Sequence, residues 1–298
     1  MISLISAPSN LGLRPPQPGS VPGASKAPEA LREAGFFDRF AALGARDAGV
    51  VLAGRYVDDD GTRAPGHVRN EAALVAHARR LADRVTRVMD AGSSPIVIGG
   101  DCSVLVGIGL ALARRGRTGL VHIDGHTDFR HPGNSSACAS VAGEDLAAAV
   151  GLHWPVIAAI DGLGPYFPPE RAAHIGHRDD DAHAAEAREA IGLVVSARDT
   201  MAATPAELAV KVRETVRPGF WLQVDVDVLD PSVMPAVDSP DPGGFSAERL
   251  TRLLQELAPL AVGASVTVFD PDLDPDGRCA RLLADLLVEG LPQLGSQL

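Results

Sequence analysis

The sequence predicts an α/β fold in which helices cover both faces of a mostly parallel sheet. Apolar runs of strand length, such as PIVIGG and TGLVHI, alternate with longer helical stretches. The runs are apolar throughout rather than at every second position, which is typical of strands buried on both faces of a parallel sheet. Strands that alternate with helices favour parallel pairing, because each helix carries the chain back to the edge where the previous strand began.

The predicted elements follow one another regularly from the N-terminus. A strand at 2–6 precedes a Pro- and Gly-rich loop, and a helix begins near Ala27, with Pro28 in a first turn that tolerates proline. A long helix covers 71–91. Further helices are predicted in SVLVGIGLALARR, GEDLAAAVG, SAERLTRLLQELAP (with Ser246 as N-cap) and RCARLLADLLVEGL. Further strands are predicted in PIVIGGD, TGLVHID, HIGHRDDD, GLVVSAR, FWLQVDVDVLD and ASVTVFDP. The loops at 10–26 and 129–142 are long enough to be functional.

Composition limits the class of protein. The 298 residues could form two domains or one large α/β domain. With 27 basic and 38 acidic residues the net charge is −11, which disfavours nucleic acid and anionic membranes as partners. No apolar run approaches the roughly 20 residues that span a bilayer, and no leader is recognisable, so a cytoplasmic protein is expected. Three cysteines are too few and too odd in number for a disulfide framework.

Acidic residues stand at the ends of three apolar runs. Asp101, Asp124 and Asp225 each end such a run, and carboxyl ends of parallel strands form the ligand-binding edge of an open sheet. In DGHTD, alternate residues share one face if the segment is extended. Two carboxylates about 4 Å apart repel by roughly 4 kcal/mol near a protein surface, so such a cluster needs a cation. A single Asp at a strand end can equally be a helix N-cap or an Asx-turn. Oxygen ligands with an imidazole suit divalent metals such as Mn(II).

Three motifs resemble the ureohydrolase family of arginases and agmatinases. They are GGDCS (99–103), DGHTD (124–128) and DVDVLDPSVMPAVDSPDPGG (225–244), where the family usually has GGDHS, DAHxD and SxDxDxxDPxxxPxxGTPxxGG. PEALREAG and IGHRDDD match further landmarks, so the resemblance covers nearly the whole chain, 1–298, as one domain. It implies a three-layer αβα fold around a mostly parallel sheet of about eight strands. It also implies a binuclear manganese centre, a homo-oligomer (trimer or hexamer), and hydrolysis of a guanidino C–N bond to urea and an amine.

The resemblance also implies roles for individual residues. Five of the six metal-ligand positions are occupied by matching residue types: Asp124, His126, Asp128, Asp225 and Asp227. Asp124 and Asp225 stand at the positions that bridge the two ions, and Asp128 would receive a proton from the attacking water. Asp181 matches a position that helps hold the substrate's amino group. Arg130 follows the segment that faces the substrate carboxylate, although it could equally be a surface arginine.

Several positions depart from the family pattern. Cys102 replaces the sixth ligand, a histidine. A soft thiolate there leaves room for Zn(II), Fe(II), a single ion or none, and Cys102 could equally be a small buried hydrophobe. Ala142 replaces the histidine of a proton shuttle, for which His131 could substitute unless it is a solvated loop residue. Val268 replaces the acid that binds the guanidinium, and Asp238 stands where glycine is usual.

The sequence therefore predicts a metal-dependent hydrolase of a guanidino or amidino C–N bond with an altered small-molecule substrate. A less basic, substituted guanidine, such as an Nω-hydroxy-L-arginine-like compound, would depend less on the missing acid. The alternative is a catalytically inactive protein of the same fold that serves as a binding or assembly subunit. Loss of the shuttle and of the guanidinium-binding acid favours the alternative, whereas retention of five ligand positions favours the enzyme.

Overall fold

A computed structural model describes residues 1–298 and contains one sheet of eight strands. In chain order the strands are β1 Ile2–Ala7, β2 Arg46–Val50, β3 Ser94–Gly99, β4 Leu120–Ile123, β5 Ala172–Ile175, β6 Leu193–Val195, β7 Phe220–Asp225 and β8 Ala261–Thr267. They lie in the order β2-β1-β3-β8-β7-β4-β5-β6, and every pairing is parallel. The predicted eight-stranded parallel sheet is confirmed.

Eleven α-helices surround the sheet. They are α1 Ala27–Glu33, α2 Phe36–Ala42, α3 Glu71–Asp90, α4 Val104–Arg114, α5 Asp145–Ala149, α6 Pro155–Ala158, α7 Ala184–Ala190, α8 Ala197–Met201, α9 Pro205–Val216, α10 Ala247–Leu257 and α11 Arg278–Gly290. The Ser246 hydroxyl accepts a hydrogen bond from the Arg249 backbone N–H, so the predicted N-cap of α10 is confirmed. No helix is long and apolar enough to cross a membrane.

The helices form one layer on each face of the sheet. On one face α3, α4 and α5 pack with alternate strand residues such as Val97 and Trp221. The intervening strand residues, such as Ile96 and Leu222, point to the other face. There they pack with α1, α2, α9, α10 and α11. This is the three-layer αβα arrangement that the resemblance implied, and it explains why the strands are apolar throughout.

Two predicted strands are shorter in the structure than in the sequence analysis. In the HIGHRDDD segment the strand ends at Ile175, because Gly176 adopts a φ of 118° that ends the extended conformation. In FWLQVDVDVLD the strand ends at Asp225, and Val226–Val228 forms a 3-10 turn. The acidic residues that follow these strands therefore lie on turns and not in the strands.

Strand β2 and helices α6, α7, α8 and α9 were not predicted. Strand β2 is a partly exposed edge strand with the sequence RDAGV, which carries no apolar pattern. Helix α9 begins with a capping box, in which Thr204 accepts from the Glu207 backbone N–H and the Glu207 side chain accepts in return from the backbone N–H of Thr204. That Thr-x-x-Glu signature was available in the sequence.

Candidate metal centre and active site

A cavity of about 700 Å³ opens at the carboxyl ends of β4, β7 and β8. Both long loops contribute to its lining, with Leu13 and Arg14 from the first and Ala137, Ala139 and Ser140 from the second, as expected of functional loops. The acidic residues predicted from the motifs also line it: Asp128, Asp181, Asp225 and Asp227. Asp124 is buried beneath this lining.

The DGHTD segment is a turn and not an extended chain. The His126 backbone N–H donates to Asp124 Oδ1 over 2.7 Å, and Asp128 has a left-handed φ of 47°. The Asp227 N–H donates in the same way to Asp225 Oδ1 over 3.0 Å. The expectation that these residues share the face of an extended segment is therefore wrong. The Asx-turns leave the second oxygen of each carboxylate, Oδ2, for other partners.

The turns bring ligand atoms from separate strands together. The Nδ1 atom of His126 lies 2.9 Å from Asp227 Oδ2 and 3.8 Å from Asp124 Oδ1. Ligand atoms of Asp124, His126 and Asp227 all lie within 4.8 Å of one another, and so do those of Cys102, Asp124 and Asp225. Because Asp124 belongs to both groups, the ligand candidates from separate strands form one continuous cluster.

The electrostatics of the cluster indicate that it lacks positive charge. Burial and repulsion between the carboxylates raise the pKa values of Asp124, Asp128 and Asp225 well above the usual range. Burial also opposes the charge on Asp227, but hydrogen bonds from His126 and from the Gly125 N–H lower the pKa of this carboxyl group below its ordinary value. Desolvation disfavours the His126 imidazolium, yet the bond to Asp227 outweighs it and raises the pKa of His126 to about 10.

An unsatisfied oxygen supports the same interpretation. Asp124 Oδ2 is buried and has no hydrogen-bond partner. A buried carboxylate oxygen without a donor costs free energy unless a cation or a proton satisfies it. The donor set of carboxylates and one imidazole fits a hard or borderline divalent ion.

Cys102 is held as a hydrogen-bond donor. Its side chain is fully buried, and Sγ donates its one hydrogen to Asp225 Oδ2 over 2.6 Å, while Thr267 Oγ1 lies 3.2 Å from the sulfur. Desolvation and the neighbouring Asp225 raise the pKa of the thiol well above its ordinary value.

A sequence model of the Arginase family matches residues 2–291 of the chain. The chain belongs to the arginase family. The arginase of Bacillus caldovelox is 28% identical over 297 residues, which cover 96% of each chain, and its native structure superposes with a TM-score of 0.86 at 26% identity over 97% of both chains. A guanidinopropionase of Pseudomonas aeruginosa is 31% identical over 74% of this chain and 67% of its own length. A formimidoylglutamase of Aeromonas hydrophila is 30% identical over 71% of this chain and 66% of its own length.

Two predicted site residues of this arginase-family protein line the cavity and are also bonded to neighbouring loops. Arg130 is half-buried and its Nε donates to Glu144 Oε1 over 3.1 Å. Asp181 accepts from the backbone N–H and the hydroxyl of Thr127 and so fixes the turn that carries the ligand candidates. Both positions allow contact with a substrate in the cavity, and their roles stay predictions.

His131 does not lie among the residues that line the cavity of this family member. Its Nδ1 accepts from the Gly133 N–H over 3.1 Å, and its Nε2 is 2.9 Å from Glu186 Oε1. The side chain is buried within its loop and is not solvated. This geometry does not favour the prediction that His131 carries a proton to or from the reaction.

Three further acids lie at the site, and the sequence analysis assigned a site role to none of them. Asp241 Oδ2 lies 3.0 Å from His126 Nε2 and orients the imidazole from outside, as carboxylates do for metal-binding histidines. Asp238 projects into the cavity, where desolvation and repulsion from Asp227 raise its pKa to about 6. Asp145, at the start of α5, lies in the buried cluster beside Asp128. Two of the three had a sequence signal: Asp238 stands where glycine is usual, and Asp145 is an unusual acid in the apolar, Ala-rich segment that it begins.

Proposed function

We propose that this protein is a metal-dependent hydrolase that cleaves the C–N bond of an amidino or guanidino group in a small molecule. The observation that supports this most is the convergence of Asp124, His126, Asp128, Asp225 and Asp227 beside a cavity that could hold such a molecule. Family membership supports the same class of reaction. An inactive binding subunit would have no need to keep this cluster of mutually repelling buried acids.

In this proposal the acidic cluster holds a pair of divalent ions. When bound, such ions lower the pKa of water and polarise the electrophilic carbon, which is the chemistry that the reaction needs. Asp128 lies at the boundary between the buried cluster and the cavity, where its carboxylate can accept a proton from the attacking water. His126 is oriented by Asp241 on one side and lies against Asp227 on the other. The ion we propose is Mn(II), with Zn(II), Fe(II) or a single ion as alternatives.

The cavity favours a substrate whose reacting group is less cationic than an unmodified guanidinium. Val268, which stands where the family has an acid, presents an apolar side chain to the cavity and cannot pair with a delocalised cation. We propose a substituted guanidine or amidine, such as an Nω-hydroxy-L-arginine-like compound, whose reacting carbon does not require an acid at position 268.

The opposite end of such a substrate is expected to carry a carboxylate. Arg14 and Arg130 both line the cavity, and Arg130 binds only Glu144 through its Nε atom, which leaves its terminal N–H groups for a ligand. Planar guanidinium groups bind carboxylates through paired hydrogen bonds. Assembly as a trimer or hexamer and a cytoplasmic location stay predictions.

Elemental analysis combined with a substrate panel tests this proposal. Purified protein loaded with Mn(II), Zn(II) or Fe(II) is expected to hold one or two ions per chain. It should then release an amine and urea, or the corresponding hydrolysis products, from at least one of a series of guanidino, N-hydroxyguanidino and formimino acids. An Asp225→Asn variant is the matched control and should lose both properties. Protein that binds no ion under excess metal would instead support the inactive subunit.

A further inference from the structure

The structure contains a carboxylate in the buried cluster that the family motifs do not include. Asp145 is fully buried, and its ligand oxygen lies within 4.8 Å of both Asp128 and Cys102. It reaches the cluster because α5 begins there, and the backbone of this helix is joined to the DGHTD turn by a hydrogen bond from the Ala147 N–H to the Asp128 carbonyl. The acid therefore lies on the side of the cluster where the usual histidine ligand is missing.

One oxygen of Asp145 has no partner within the protein. Its Oδ1 lies 3.3 Å from His122 Nε2, whereas Oδ2 is buried and forms no hydrogen bond. Asp124 Oδ2, in the same cluster, is unpartnered in the same way. Two buried, unpaired carboxylate oxygens next to Asp128 are the arrangement that a cation would satisfy.

We propose that Asp145 replaces the missing histidine as a metal ligand, so that Asp124, Asp128 and Asp145 hold one of the two ions. This inference rests on the proposed function. It assigns Cys102 to a different role, because the thiol already donates to Asp225 and packs against Thr267 Oγ1. Exchange of a histidine for a carboxylate makes this half of the centre richer in oxygen and favours hard ions such as Mn(II) over Zn(II).

His122 fits the role of a residue that positions Asp145. It lies on β4 two residues before Asp124, and its Nδ1 is 3.0 Å from Nδ1 of His174. One of these two nitrogens must donate. If His174 donates from Nδ1, its Nε2 carries no hydrogen. This agrees with the structure, in which His174 Nε2 has no hydrogen-bond partner. His122 then accepts at Nδ1 and carries its proton on Nε2. This atom lies 3.3 Å from Asp145 Oδ1 and 3.5 Å from Asp124 Oδ2, and it donates to the nearer Asp145. A histidine that donates in this way orients a ligating carboxylate and is not itself free to bind the metal.

Metal binding by matched variants of the full chain tests the inference. Each protein is stripped with a chelator and titrated with Mn(II), and bound ions are counted. Asp145→Asn should lose one of the two ions or bind it at least about tenfold more weakly. Cys102→Ala and the control Asp274→Asn, which changes a buried acid bonded to the first turn of α11, should keep both. Circular dichroism melting of the metal-free proteins confirms that each variant is folded.

The cobalt-loaded wild-type protein gives a second readout that needs no variant. A thiolate bound to Co(II) produces a charge-transfer absorption in the near ultraviolet, and the inference predicts that this absorption is absent. The inference is overturned if the absorption is present, or if Asp145→Asn keeps both ions at wild-type affinity. Those results would leave the proposed function standing, because the wild-type protein would still bind metal. A wild-type protein that binds no ion would overturn both.

Discussion

The Cys102 thiol donates a hydrogen bond of 2.6 Å to Asp225, a residue 123 positions later in the chain. Cys102 follows β3 and Asp225 ends β7, and these strands are separated in the sheet by β8. The hydroxyl oxygen of Thr267, the last residue of β8, lies 3.2 Å from the same sulfur and so bridges the gap. Three strand ends are thus connected at one point, and the carboxylate of Asp225 is part of both the hydrogen-bond network and the candidate metal centre.

The stability of the metal-free protein is expected to fall as the pH rises from about 7 to 10. The pKa of His126 is about 10 in the folded protein, above the ordinary value of about 6.5 in an unfolded chain. A group whose pKa is raised by folding stabilises the folded protein fully at pH values below its pKa in the unfolded chain. This stabilisation is lost as the pH rises to the pKa of the group in the folded protein. The raised pKa values of Asp124 and Asp225 act in the same direction. We expect a loss of about 1–2 kcal/mol, measured as a decrease of a few degrees in Tm.

Saturating Mn(II) should remove most of this pH dependence, because bound ions would displace the protons that stabilise the metal-free cluster. The matched control is His126→Gln, whose metal-free form should show a weaker dependence over the same pH range. Equal slopes in the wild-type and His126→Gln proteins would contradict the assignment.

Val268→Glu is expected to restore activity toward an unmodified guanidinium substrate. Val268 has a φ of 75°, which is unfavourable for a β-branched residue, and its side chain lines the cavity. Glutamate is unbranched at Cβ and adds a carboxylate that can pair with the cation. We expect kcat/KM for arginine-like compounds to rise at least about tenfold, or about 1.4 kcal/mol. Val268→Gln has the same shape without the charge, so an equal gain from it would show that pairing is not the cause.

Arg130→Ala is expected to weaken binding of substrates that carry a carboxylate. The residue lines the cavity and leaves its terminal N–H groups available. We expect KM to rise about tenfold with little change in kcat, because the contact is made in both the ground state and the transition state. The same measurement with the substrate carboxylate converted to an amide should show no difference between the two proteins. The control is Arg198→Ala, an exposed arginine that pairs with Asp179.

His131→Gln is expected to retain kcat and its pH dependence. Both ring nitrogens are engaged within the loop, so the substitution should lower stability by about 1 kcal/mol and leave the chemistry intact. Asn134→Ala disturbs the same contact to Glu186 without removing a titratable group and serves as the control. A decrease of 10²-fold or more in kcat, with rescue by added imidazole, would instead show that His131 carries a proton.

The sequence by itself determined the fold class and the set of strand-end acids. Apolar runs such as IVIG and LVHI bury both faces, which restricts them to the interior of a parallel sheet, and the carboxyl ends of such strands share one edge. Asp124 follows LVHI and Asp225 ends WLQVD, so both acids were expected at this edge. They meet because β4 and β7 are neighbours in the sheet. Strand β2 could not be predicted in this way, because an exposed edge strand has no apolar pattern to recognise.

Only the tertiary structure decided how the acids meet and which other residues join them. The Asx-turn at Asp124 bends DGHTD away from the extended geometry that the spacing suggested. Asp145 and Asp241 reach the cluster from distant segments, through helix and loop packing that no local pattern encodes. Local periodicity specifies which side chains are buried. Contacts between segments far apart in sequence depend on how the layers pack, and these contacts placed Cys102 against Asp225 and withdrew His131 from the cavity.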